Sequence, residues 1–357
     1  MKIAMVAGGT GGHIYPAISL AEELEKKGHD ITFIGSNDRM EKDVIPAHNF
    51  KYIGLDVYTT RGGIGQKIKS ILSIEKAYKQ CLKLLNGFDM AIGFGNYISI
   101  PVMAAACKLK LKTVIHEQNS FVGRANRILD NKVDLIIGSY KENLKQFKNQ
   151  NTKILGNPQS SKAYNLVKDV KVIKDLGLDP KKKTVVIFMG SLGSSSVNEK
   201  LIDYFKMLDG SYQVVYATGS SHYEEAIKNI KQTEYLKVFE RIDGANVMKN
   251  STLLICRAGA TTLSEIEAIG MPAILIPSPY VPNNHQYYNG KALVDNDAAI
   301  MIEEKDLTAD LLYKSVSDII NDDNRLMQLS QNAKKLGNPN VLEDIVKAIE
   351  SIWLKNS

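Results

Sequence analysis

An α/β protein of two doubly wound parallel sheets is predicted from three features of the 357-residue sequence. Short apolar runs alternate with amphipathic ones, a glycine-rich turn joins the two in two separate places, and the length suits about two domains. Residues 2–7 read as a buried strand, followed by the turn Gly8-Gly9-Thr10-Gly11-Gly12-His13. Glycine is needed where φ is positive or where something approaches the backbone closely. A glycine turn that opens a helix also aims several N–H groups at one point, which suits a phosphate. Pro16 is expected in the first helical turn, where proline is tolerated, and Ile18, Leu20, Ala21 and Leu24 continue at helical spacing until Gly28. Further strands are expected at 31–35, 90–94, 113–117 and 135–139.

The opening pattern then recurs. Residues 184–189 are apolar, Gly190-Ser191-Leu192-Gly193-Ser194 is a second glycine and serine turn, and 197–208 is amphipathic. Runs at 213–218, 237–240, 253–257 and 273–277 give this half its own sheet. Turn residues and a lysine-rich stretch between Gly156-Asn157-Pro158 and Asp179-Pro180 mark the join. The expected domains are therefore 1–160 and 161–340, with 341–357 as a closing amphipathic helix. Ligands of such sheets bind at the carboxyl ends of strands.

Composition excludes several classes. Apolar residues at 44% and charged residues at 24% describe an ordinary globular chain. The formal charge of +6 is mostly lysine and is spread out, which favours anionic partners; scarce arginine and a single tryptophan argue against nucleic acid. Cys81, Cys107 and Cys256 are far apart, odd in number and without metal-ligand spacing, as suits a reducing cytoplasm. No stretch approaches the ~20 apolar residues of a membrane span, and Gly8 interrupts the first apolar run too early for a signal peptide.

Several stretches carry chemistry. As a dinucleotide fingerprint the first turn fails: Ile14 stands in place of the third glycine, and Gly35-Ser36 ends the second strand with no acidic residue for a ribose. His13, at the mouth of the turn, can take a proton near neutral pH. His116-Glu117-Gln118-Asn119 ends another strand and offers Glu117 as the rival base. In Arg257-Ala258-Gly259-Ala260-Thr261-Thr262-Leu263-Ser264-Glu265, threonine hydroxyls and a helix N-terminus suit a diphosphate, and Glu265, about one turn inside, suits ribose hydroxyls or simply the helix dipole. Asn283-Asn284-His285-Gln286 offers amides for sugar hydroxyls at a strand end, whereas Asp295-Asn296-Asp297 reads as a surface turn. Between Tyr58 and Ile74, basic Arg61, Lys67 and Lys69 alternate with Ile64, Ile68, Ile71 and Leu72 after the glycines Gly62, Gly63 and Gly65. That is either an ordinary amphipathic helix or one that docks on anionic lipid.

Together, the first glycine turn, His116 to Asn119, Gly156-Asn157-Pro158, Arg257 to Glu265 and Gln286-Tyr287-Tyr288-Asn289 resemble the MurG family of glycosyltransferases, family 28. The likeness runs from residue 1 to about residue 350, with the motifs in the family's order. It implies a GT-B fold: two Rossmann-like domains, an interdomain cleft and a C-terminal helix crossing back to the first domain. It also implies an inverting transfer of N-acetylglucosamine from UDP-GlcNAc to the muramyl C4 hydroxyl of lipid I, giving lipid II for peptidoglycan. His13, or else Glu117, would be the base. For the donor, the resemblance implies Ser191, Ile242, Ala260, Thr261, Thr262, Leu263, Ser264, Glu265 and Gln286, reached from the first domain by Thr10, Gly11, Gly12 and Asn119. For the acceptor it implies Gly9, Tyr97 and Asn126. It implies no metal and no cofactor, an anionic membrane surface and cell-wall synthesis proteins as partners, and a peripheral position on the cytoplasmic face of the cell membrane. Four positions depart from the family pattern: Asn96 stands for a glycine, Ser160 for an arginine, Leu192 for a glutamine and His285 for a glutamine. Rival readings are a nicotinamide or flavin oxidoreductase, a non-catalytic nucleotide-sugar sensor, and a GT-B transferase for another lipid or aglycone.

Overall fold

The structure is a computed structural model that describes residues 1–58, 64–190 and 193–354, the side chains of 64–67 excepted. The chain forms two compact units, Met1–Ser161 with Asn340–Ser357, and Lys162–Pro339. The first runs β1 (Lys2–Val6), α1 (Gly11–Lys26), β2 (Asp30–Ser36), α2 (Glu41–Ala47), β3 (Lys51–Leu55), α3 (Ile64–Leu84), β4 (Met90–Gly93), α4 (Ser99–Lys108), β5 (Lys112–Glu117), α5 (Arg124–Leu129), β6 (Leu135–Gly138) and β7 (Thr152–Ile154). Its seven strands are all parallel, in the order β3-β2-β1-β4-β5-β6-β7. The order reverses between β1 and β4, so the loops leaving these two strands flank the switch point, where open sheets bind ligands.

Both faces of this sheet are covered, which is why its strands read as unbroken apolar runs. Ile3 and Met5 face a layer that holds Ile14 and Ile18 of α1, while Ala4 and Val6 face Cys81 of α3 and Val102 and Ala106 of α4. The first layer is completed from far along the chain: Val341, Ile345, Ile349 and Ile352 of α15 (Val341–Leu354) belong to the same cluster as Ile3 and Ile14.

The chain enters the second unit through α6 (Ser160–Tyr164) and α7 (Val170–Asp175), then runs β8 (Thr184–Phe188), α8 (Ser195–Lys206), β9 (Gln213–Ala217), α9 (Tyr223–Asn229), β10 (Leu236–Phe239), α10 (Gly244–Asn250), β11 (Leu253–Cys256), α11 (Ala260–Ile269), β12 (Ala273–Leu275), α12 (His285–Val294), β13 (Ile300–Met301), α13 (Ala309–Ile320) and α14 (Asp323–Leu336). Its six strands are parallel, in the order β10-β9-β8-β11-β12-β13, with the switch point between β8 and β11. Val185 and Ile187 pack with Leu201 and Tyr204 of α8 and Val316 of α13.

Three strands beyond those expected, β3, β7 and β13, lie at or toward sheet edges and are short or partly exposed, so they lack an apolar run. Pro16 is not in the first turn of α1 but is its sixth residue, because Gly11 and Gly12 are themselves helical. The three cysteines are free, and Cys81 and Cys256 are buried. Among the described residues, no helix is long and apolar enough to cross a membrane. On α3, Ile68, Ile71 and Leu72 are exposed at 55%, 63% and 61%, and Lys69 Nζ stands 4.3 Å from the centroid of the Tyr58 ring.

Candidate active site

In the first unit the glycine turn leaves β1 and becomes the first turn of α1. Thr10 is the helix N-cap; its carbonyl accepts from the N–H groups of His13 (3.0 Å) and Ile14 (3.2 Å), and its Oγ1 lies 2.9 Å from His13 Nδ1. The turn offers fewer free N–H groups than its glycine count suggests. The Gly9 N–H donates to the fully buried Glu41 carboxylate at 3.0 Å, and the His13 N–H is held by Thr10. Gly11 and Gly12 open the helix, where amides lack intrahelical acceptors, and these are the N–H groups suited to an anion.

The loop after β4 meets this turn across the switch point. Gly95 has φ +82°, and a Cβ there would lie 3.6 Å from His13 Cδ2 and 3.5 Å from Asn126 Nδ2, so His13 and Asn126 converge on one glycine. Asn96 follows in the left-handed region at φ 76°, which asparagine tolerates better than other non-glycine residues. Its side chain donates to the Gly8 carbonyl and accepts the Tyr97 N–H, so Tyr97 is anchored beside the turn.

Glu117 ends β5 and is 2% exposed. Its carboxylate accepts from the Asn119 N–H (3.0 Å), Asn119 Nδ2 (3.2 Å), the Gly123 N–H (2.9 Å) and Asn126 Nδ2 (2.9 Å). Burial pushes this carboxyl above its ordinary range, against the pull of those donors. Asn126 also donates to the His116 carbonyl at 3.1 Å, and its Oδ1 is buried without a partner. His116 stacks on Phe94 with centroids 5.3 Å apart and has Nε2 3.0 Å from the Gly156 carbonyl; burial lowers its pKa to about 4, so it is neutral at physiological pH. Ser160 turns its hydroxyl to the Asn157 carbonyl at 2.8 Å and is 5% exposed, so it supplies none of an arginine's reach or charge.

In the second unit the loops after β8, β11, β12 and β13 are braced by one buried ion pair. Arg257 Nη2 lies 2.5 Å from Glu304 Oε2 as an ion pair and donates to Ser194 Oγ at 2.5 Å, and Nη1 donates to the Ile276 carbonyl at 3.1 Å. The other Glu304 oxygen accepts from Ser196 Oγ at 2.6 Å. Gly259 caps α11, which begins at Ala260; the Thr261 hydroxyl is buried there without a partner, Ser264 bonds the Thr261 carbonyl at 2.7 Å, and Leu263 is in the core. Thr262 lies in the same first turn and Glu265 is the sixth helical residue, half-buried. Asn289 Nδ2 ties α12 to the Ala258 carbonyl at 3.3 Å.

The stretch 283–286 stands on a 3-10 turn and the start of α12 rather than at a strand end, because the left-handed Asn283 and Asn284 reverse the chain there. Gln286 Oε1 accepts the Ser278 N–H at 2.8 Å, and Ile242 sits half-buried just beyond the end of β10. Ser191, Leu192, Arg61, Gly62 and Gly63, and the side chains of Ile64 and Lys67, lie outside the described residues. The structure thus groups Gly9 to His13, Tyr97, Glu117, Asn119 and Asn126 around the switch point of one sheet, and places 260–265 and Ile242 just beyond strand ends of the other, with Gln286 at the start of α12. Sequence reasoning missed Glu41, Glu304 and the clamping role of Asn96, whose partners are distant in the chain.

Known proteins share the fold and identify the family. The glycosyltransferase family 28 N-terminal domain matches residues 3–137 and the family 28 C-terminal domain residues 184–345. A UDP-N-acetylglucosamine--N-acetylmuramyl-(pentapeptide) pyrophosphoryl-undecaprenol N-acetylglucosamine transferase of Halalkalibacterium halodurans is 38% identical over 99% of both chains. The protein of the same name from Halothermothrix orenii is 37% identical over 98% of both. The crystal structure of Acinetobacter baumannii MurG superposes with a TM-score of 0.81 at 24% identity, covering 98% of this chain and 99% of that one. A UDP-N-acetylglucosamine 2-epimerase from Listeria monocytogenes shares the fold at a TM-score of 0.70 and 16% identity, over 99% and 97% of the two chains. Two matched domains and full-length identity to these transferases establish the family: the chain belongs to the MurG family, family 28 of the glycosyltransferases.

Proposed function

We propose that the chain transfers N-acetylglucosamine from UDP-GlcNAc to the muramyl C4 hydroxyl of lipid I, with inversion and without a metal. The observation that carries this reading is His13, set by Thr10 at the mouth of the first glycine turn and facing Asn126 across Gly95, in a chain 38% identical to a transferase of that name. In a single displacement the C4 oxygen bonds to the anomeric carbon as the bond from that carbon to the diphosphate oxygen breaks, and UDP keeps the electron pair. His13 Nε2 takes the hydroxyl proton, which requires its Nδ1–H to donate to Thr10 Oγ1.

Glu117 is the weaker base, because both its oxygens already accept from the loop at Asn119, Gly123 and Asn126. It orders that loop, and with it Asn126, whose open Oδ1 suits an acceptor hydroxyl. On the donor side, the start of α11 and the unpaired Thr261 hydroxyl suit the developing charge of UDP, Glu265 the ribose and Gln286 the sugar. Ile242 suits the uracil. The exposed Ile68, Ile71 and Leu72 beside Lys69 suit an anionic membrane surface on the cytoplasmic side, where lipid I would be met. Transfer of labelled N-acetylglucosamine to a lipid I analogue, with and without EDTA, tests the reading: product in both arms is expected. No product refutes the activity, and loss of product with EDTA refutes its metal independence.

A further inference from the structure

Glycine adopts either sign of φ with little penalty, so the Gly8–Gly9 peptide has no intrinsic orientation of its own. In the folded protein both polar ends of that single peptide unit are gripped by side chains from elsewhere in the chain. The N–H of Gly9 donates at 3.0 Å to Oε2 of Glu41, the first residue of α2. The carbonyl of Gly8 accepts from Asn96 Nδ2, out of the loop after β4. Glu41 is fully buried and is itself held: its Oε1 accepts from the Ser36 N–H at 3.2 Å and Ser36 Oγ at 2.5 Å, and the Tyr52 hydroxyl donates to the Ser36 carbonyl at 2.6 Å. Asn96 is fixed at its other end by the Tyr97 N–H.

The clamp leaves no room for side chains on the peptide it holds. A Cβ on Gly8 would lie 2.4 Å from Glu41 Oε1, and one on Gly9 2.3 Å from Asn96 Nδ2. These two glycines therefore answer to Glu41 and Asn96 rather than to a bound ligand, in contrast to Gly11 and Gly12, whose amides open the helix. Fixing the peptide plane fixes Gly9 at φ +84°, and through it Thr10, whose carbonyl and hydroxyl both hold His13.

We propose that Glu41 and Asn96 are positioning residues for His13: by orienting the Gly8–Gly9 peptide they fix the Thr10–His13 pair, and with it the tautomer that carries its proton on Nδ1. This rests on the role given to His13 above. Asn96→Gly is the informative variant, since glycine keeps the left-handed backbone of position 96 while deleting both side-chain bonds. A misplacement of about 1 Å costs on the order of 10²-fold, so kcat of the full chain should fall by roughly 10- to 100-fold, with KM for UDP-GlcNAc and the melting temperature held. In ¹⁵N-histidine-labelled protein, the His13 ring signals should move from the Nδ1–H form toward a mixture of tautomers. Glu41→Gln should act in the same direction. In a His13→Ala background Asn96→Gly should cost nothing further, because two residues acting through one group are not additive. An active wild type whose Asn96→Gly variant keeps its kcat and its His13 signals overturns the inference, as does an equal loss of rate in the His13→Ala background. A wild type that transfers nothing refutes the reading beneath it instead.

Discussion

The two glycine turns leave equivalent strands, β1 and β8, at the switch points of two sheets that share one strand order over six strands, yet they are tied down by opposite means. In the first unit hydrogen bonds from Glu41 and Asn96 grip the backbone, and an imidazole is left standing at the mouth of the turn. In the second, a buried ion pair between Arg257 and Glu304 gathers the turn through Ser194 and Ser196, and what is left open is a helix start with an unpaired hydroxyl at Thr261. A side chain that must move a proton needs a fixed tautomer, which local hydrogen bonds supply; a phosphate seat needs several loops held together, which a charged brace supplies. On the proposed reading, one strand-turn-helix device would serve proton transfer in one unit and anion binding in the other.

The largest test of this division is His13→Ala. Turnover should fall by ~10²–10⁴-fold while calorimetric titration still shows UDP-GlcNAc bound as before, the loss expected for a general base. Weakened donor binding with chemistry intact would erase the distinction between the units. Next comes Glu304→Ala, which leaves the buried Arg257 guanidinium without its carboxylate; urea unfolding should show about 3–5 kcal/mol lost, with KM for UDP-GlcNAc raised. A variant that unfolds at the wild-type midpoint would mean the brace is dispensable.

A third test sharpens the first unit alone. His116 has a folded pKa of about 4 against 6.5 unfolded, because burial disfavours its cation. Between those values the unfolded chain binds the extra proton, so stability is intact above pH 6.5 and declines as pH falls toward 4, by about 3 kcal/mol at the lower end. His116→Gln should flatten that stretch of the unfolding-versus-pH curve, and an unchanged curve would assign the acid loss to other groups. The smallest effect is expected on α3, where Ile71→Ser with Leu72→Ser should weaken sedimentation with anionic vesicles by about tenfold. Unaltered sedimentation would move membrane contact off this helix.

Much of the fold was legible because strands covered on both faces must be apolar throughout: β1, β5, β8 and β11 announce themselves within a residue or two. β13, only two residues long, and the partly exposed β3 carry no such run. At the site, His13, Glu117 and the 260–265 stretch were legible because their chemistry sits next to turn residues in the chain. Glu41 and Glu304 were not: Glu41 reaches a glycine 32 residues away, and Glu304 a serine 108 residues away. Asn96 could be noticed as a departure from glycine, but only its positive φ and the Gly8 carbonyl 88 residues earlier explain why asparagine serves there. The position of Pro16 was misjudged because a helix built from glycines gives no propensity signal for where it begins.

The return of α15 to the first unit bears on how the protein is made. Val341, Ile345, Ile349 and Ile352 sit in the same layer as Ile3, Met5 and Ile14, so that layer stays open on one side until residues 341–354 have left the ribosome. The intervening residues 162–339 form a continuous unit and need on the order of ten to forty seconds to be synthesised. The half that is translated first is therefore the half that finishes folding last, and during that interval its apolar face is open to chaperones and to aggregation.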